Sequence, residues 1–149
     1  MFERCKDTAI IFIKYSFAIL FFLTTFAVNM NIEELREYCL TIQDATETLY
    51  FDNEYLIFRV FDKWFVVIRL DDTELNISVK CDPDKAIELR ERYKCVTAAW
   101  HFNKKYWNNI IVNRDMDDET LKYWIRRSVE EVIKKLPKKL QMAYWGSQQ

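Results

Sequence analysis

The alternation of apolar and polar positions divides the chain into short elements. In ELNISVKC (74–81), Leu75, Ile77, Val79 and Cys81 take every second position, with Glu74, Asn76, Ser78 and Lys80 between them. A period of two predicts an antiparallel strand with one wet face. YLIFRV (55–60) and WFVVIRL (64–70) are rich in β-branched and aromatic residues, and Phe61-Asp62-Lys63 joins them as a hairpin. Residues 31–42 repeat at helical spacing, with Ile32, Leu35, Cys39 and Ile42 on one stripe. Asn31 stands at the cap and Glu34 three residues on, a capping-box pattern. Residues 43–53 read as a polar connection.

Asp82-Pro83 opens a second helix that runs to about 93 and buries Ala86, Leu89 and Tyr93. Residues 95–100 and 109–112 read as short strands. Residues 117–136 form the longest helix, with Leu121, Trp124, Ile125, Ser128, Val129, Val132 and Leu136 on one stripe and Pro137 as its stop. The order is α-βββ-α-ββ-α. It predicts a single α+β domain, an antiparallel sheet packed by helices on one face.

Composition narrows the chemistry. Glycine occurs once, at Gly146, so no Gly-rich phosphate loop exists and tight hairpin turns lack their usual residue. Cys5, Cys39, Cys81 and Cys95 form no C-x-x-C pair. Cys39 and Cys81 sit at apolar positions as small hydrophobes, which implies reduced thiols and a cytoplasmic location. Residues 8–28 are a 21-residue apolar run broken only by Lys14. Three readings compete for it: a membrane anchor, a signal peptide, and an extension or mis-assigned start ahead of Met30. The domain organisation is therefore an apolar segment at 1–29, a domain at 30–142 and a tail at 143–149.

The formal net charge is −1, but residues 1–100 sum to −5 and residues 101–149 to +4. The basic excess begins at HFNKKYWNN (101–109). His101 is the only imidazole, and only Cys81 or Cys95 offers it a nucleophile, at no favourable spacing. No metal-ligand spacing converges on it. We therefore expect no enzyme: no catalytic residue, no metal and no cofactor.

Two readings of the motif stay open. In one, Trp100, Phe102, Tyr106 and Trp107 alternate into the core, and His101 and Asn103 satisfy the backbone of a glycine-free turn. In the other, Lys104 and Lys105 supply charge, Asn103, Asn108 and Asn109 supply donors, and Tyr106 stacks on a base. Lys134, Lys135, Lys138 and Lys139 would extend that patch, which Glu130 and Glu131 dilute. Separately, Tyr55, Ile57 and Phe61 on one hairpin face, with Phe58 and Trp64 elsewhere, suggest an apolar sheet surface for a protein partner or a homodimer.

MNIEELREYCL, LNISVKCDPDKAIELRERY, and HFNKKYWN followed by a long helix ending in KKLPKKL together resemble the MmcQ/YjbR family over about residues 30–142. The resemblance implies an α+β fold like that of CyaY and of type III secretion chaperones. It also implies a proposed, non-catalytic role in DNA binding. It carries over Lys80, His101, Asn103, Lys104 and Trp107; the residues themselves add Lys105, Asn108, Lys138 and Lys139. The family's usual glycines are replaced by Phe61-Asp62 in the hairpin and by Ala98-Ala99-Trp100 before the histidine. The expected function is weak, salt-sensitive binding of DNA. A protein-interaction or chaperone-like module is the alternative, and a membrane is a partner only if residues 8–28 are an anchor.

Overall fold

A computed structural model of the chain describes residues 29–147. The apolar run at 8–28, with its three readings, lies outside the described residues. Among the described residues, no helix is long and apolar enough to cross a membrane.

Helix α1 (Ile32–Leu40) begins with the expected capping box: the Glu34 N–H donates to Asn31 Oδ1 (2.9 Å) and the Asn31 N–H to Glu34 Oε2 (3.0 Å). Strands β1 (Thr46–Tyr50), β2 (Tyr55–Val60), β3 (Lys63–Arg69) and β4 (Asn76–Lys80) follow as an antiparallel meander. Helix α2 (Pro83–Arg92) starts at Asp82, whose carboxylate accepts from the Asp84 N–H. Then come β5 (Val96–Ala98), β6 (Trp107–Ile111), α3 (Asp118–Ile133) and α4 (Lys138–Gly146). The sheet order is β1-β2-β3-β4-β6-β5, antiparallel throughout.

The α+β class is borne out, with two additional elements. Residues 46–50, expected within a polar connection, form the edge strand β1. They lack an apolar run because an edge strand buries little. The expected domain end at 142 falls inside α4, whose Tyr144 is buried and packs on Phe61.

Helix α3 packs across β2, β3 and β4, and α2 covers β5 and β6. Between helices and sheet, Leu35, Phe58, Phe65, Ile68, Ile77, Ile110, Ile125 and Ile133 are fully buried. Cys39, Cys81 and Cys95 are buried free thiols. Burial pushes Cys39 and Cys81 up to about 12; burial and then the neighbouring Asp115 push Cys95 up to about 11.

The turns manage without glycine. Val60 pairs with Lys63, so Phe61 and Asp62 alone form the hairpin turn, at φ of 48° and 59°. Positive φ at both central positions is the signature of the type I′ turn that the composition argued against. Phe61 is held there by its ring against Tyr144, 6.2 Å between centroids. Asp62 has no such anchor, only an exposed contact to Arg59 at 3.8 Å. Asp62→Gly should therefore raise stability by about 0.5–1 kcal/mol, because glycine meets no Cβ penalty at positive φ. Urea denaturation of the two proteins checks this; a destabilised glycine variant would mean the turn is not strained.

Candidate nucleic-acid interface

Strand parity divides the sheet's side chains. Leu56, Phe58, Val66, Ile68, Ile77, Val79 and Ile110 face the helices. The opposite set includes Tyr55, Ile57, Val67, Ser78, Lys80, Trp107 and Asn109. The loop between β5 and β6 folds back over that second face. Asn103 organises it: its carbonyl accepts from the Tyr106 (2.9 Å) and Trp107 (3.0 Å) N–H groups, and its Oδ1 from the Lys105 N–H (3.0 Å). Phe102 anchors it by stacking on Trp107 (5.0 Å between centroids) and meeting Trp64 edge-on (6.2 Å). Asn103 is thus a turn-maker, for the reason asparagine favours such positions.

Lysines surround this aromatic set. Lys105 Nζ lies 5.5 Å and Lys135 Nζ 4.3 Å from the centroid of Tyr106. Lys104 Nζ lies 4.9 Å from Trp100, and Lys80 Nζ 5.9 Å from Trp107. Rings at these distances attract each cation modestly and hold its stem extended. The Lys80 ammonium is held below the ordinary 10.5, first by burial and then by the charge of Lys135 and, less, Lys63; Glu131 acts the other way. Lys63, Lys80 and Lys135 therefore share one electrostatic neighbourhood.

Beside the loop, a groove of about 580 Å³ is lined by Phe51, Tyr55, Ile57, Trp64, His101 and Phe102, among others. His101 is exposed at this groove and at a smaller one shared with Trp100 and Asn109.

The structure regroups the predicted residues. Lys80, Lys104, Lys105 and Trp107 come together, with His101 and Asn103 in the same loop. Asn108 does not join them. It is 0 % exposed and its Nδ2 donates to the Ala86 carbonyl of α2 (3.0 Å), so it cannot meet an external anion. The strand begins at Trp107 rather than Asn109, and parity turns Asn108 inward. Trp107 is itself 9 % exposed and occupied by Phe102, which leaves it a support rather than a stacking surface. Lys138 and Lys139 stand exposed on the first turn of α4 and stack on none of these rings. Phe61, expected beside Tyr55 and Ile57, packs on the helix side instead, while Trp64 joins them. Lys63 was not singled out; it starts β3, paired with Val60, and its charge reaches Lys80 from there.

Fold and surface together define a class: a helix-backed antiparallel sheet whose other face is capped by a lysine- and aromatic-rich loop. A family model, YjbR, matches residues 40–130. The chain belongs to the YjbR family, as the sequence resemblance implied. It is similar to the uncharacterized protein YjbR of Escherichia coli K12, 25 % identical over 108 residues that span 72 % of this chain and 92 % of that protein. Deinococcus radiodurans protein DR2400, a DUF419 domain, superposes with a TM-score of 0.71 at 28 % identity, covering 76 % of this chain and 87 % of that one. A Pseudomonas syringae protein of 21 % identity shares the fold with a TM-score of 0.58, covering 66 % of this chain and 96 % of that one.

Proposed function

We propose that this protein is a non-catalytic DNA-binding member of its family that holds phosphates through the lysine–aromatic face. The observation that carries the reading is the convergence of Lys105 and Lys135, from two distant parts of the chain, on the one ring of Tyr106, with Lys80 within reach of the charges of Lys135 and Lys63. The non-catalytic part rests on chemistry. The described thiols are buried and held protonated, and His101 stands at a mostly apolar groove.

Binding should be weak and steeply salt-dependent. With about four phosphates neutralised, log K should fall against log salt with a slope of roughly −3 to −4. A salt titration by fluorescence anisotropy reads it, and no binding at low salt would sink the proposal. Lys80 adds a pH signature. Its charged form is disfavoured in the free protein and favoured by a bound phosphate. Affinity should therefore decline as pH rises towards 10.5, ahead of an ordinary lysine. Stability moves oppositely over that window, because the unfolded chain binds the proton more tightly there. Lys80→Arg should flatten the affinity decline.

A protein-binding module remains the second reading, supported by the apolar groove and by the neighbouring edge strand β1 with its exposed Leu49 and, in the turn after it, Phe51. Light scattering separates the two, since self-association through that edge makes the apparent mass depend on concentration.

A further inference from the structure

Trp100 is the most exposed large hydrophobic side chain among the described residues, at 79 %, yet it has a fixed place. The Ala99 N–H donates to the Trp107 carbonyl (3.1 Å), and the Arg90 guanidinium donates to the Lys104 carbonyl (3.3 Å), tying both ends of the turn. Lys104 Nζ sits near the ring. Trp100 contributes nothing to the core, and exposing an indole is unfavourable unless something covers it.

We propose that this face takes single-stranded rather than duplex DNA, with an unpaired base stacking on Trp100 and its phosphate held by Lys104. The inference rests on the DNA-binding reading above. Three features favour a single strand. An indole offers a flat apolar face and a single N–H donor. A duplex keeps its base faces covered by neighbouring bases and presents only edges and phosphates, so Trp100 has little to gain from it. Next, the cations are interleaved with rings, Lys104 with Trp100 and Lys105 and Lys135 with Tyr106, rather than spread as a uniform field. Alternating charge and π-face suits a strand whose bases and phosphates alternate. Last, the adjoining groove is lined by Phe51, Tyr55, Trp64 and Phe102. A splayed base can enter such an apolar concavity; a hydrated duplex backbone gains nothing there.

The test compares a labelled single strand of ~16 nucleotides with the same sequence as a duplex, at low salt, by anisotropy. The single strand should bind at least about tenfold tighter. Trp100→Ala should weaken single-strand binding by about 5- to 150-fold and leave duplex binding unchanged, while Trp100→Phe retains most of the affinity. Because Trp100 is exposed, its melting curve should stay in place. Equal or tighter duplex binding, or a Trp100→Ala variant with unchanged single-strand affinity, overturns the single-strand inference and leaves the DNA reading standing. Failure of both forms to bind overturns the two together.

Discussion

Reversing charge at Lys105 and Lys135 together should lower DNA affinity by two to three orders of magnitude at low salt. The two ammonium groups lie 5.5 Å and 4.3 Å from the centroid of the Tyr106 ring. At about 4 Å in bulk water each contact with a phosphate is worth about 1 kcal/mol, and reversal replaces each attraction by an equal repulsion. Two residues changed in this way give about 4 kcal/mol, close to 10³-fold, with the loss shrinking as salt rises. Both lysines are exposed, and neither makes an ion pair among the described residues, so the melting temperature should barely move. Lys80 is the wrong target for this test: it is half-buried near Glu131, and a new carboxylate there would perturb the fold. A charge-matched control reverses Lys85 and Arg127, which sit on α2 and α3 in exposed pairs with Glu88 and Glu130. Such pairs contribute little. Equal losses in the two double variants would show that net charge, not this face, sets affinity.

The choice of Lys105 with Lys135 was only partly legible in the sequence. Both stand in visible lysine clusters, but thirty positions apart, and nothing local places them on one ring. The fold itself was more readable. Period-two and helical patterns located β2, β3, β4 and α1 to α3 because each buries a full face, and burial is what writes a period into a sequence. Strand β1 buries almost nothing, and α4 contributes mainly Tyr144, so neither leaves a pattern. The turns misled for another reason. Glycine is the cheap residue at positive φ, but Phe61, packed on Tyr144, and Asn113, whose amide donates to the Met30 carbonyl, adopt it under tertiary constraint, and Asp62 follows Phe61 without an anchor of its own. The site shows how little separates a correct from an incorrect reading. A strand start displaced by two residues left Asn109 hydrogen-bonded to Ser78 and put Asn108 under α2.

Ser128→Ala should destabilise the domain by about 2–4 kcal/mol, the largest stability loss expected of any single atom removed from it. Ser128 looked like an ordinary member of the α3 apolar stripe, and it is fully buried. Its hydroxyl donates to the Phe65 carbonyl (2.5 Å), and its oxygen accepts from the Lys80 N–H (2.8 Å). The cause lies in the sheet. Arg59 pairs with Trp64 but Phe58 with Val66, so Phe65 is an extra residue, a bulge in β3. The β3–β4 pairing stops at Val66 and Val79, next to Phe65 and Lys80. Ser128 joins these two backbone groups through one oxygen. Alanine removes that oxygen and leaves a buried C=O and a part-buried N–H without this partner, at about 1–3 kcal/mol for the buried group and less for the other. For a domain of this size the melting temperature should fall by on the order of 10 °C. Because the hydroxyl also fixes the backbone beneath Lys80, DNA affinity should drop well below the new melting point. Ser128→Cys, which keeps a weaker donor and acceptor, should fall between the two. A loss under about 0.5 kcal/mol for Ser128→Ala would mean that the bulge needs no bridge and that Lys80 is positioned by the strand alone.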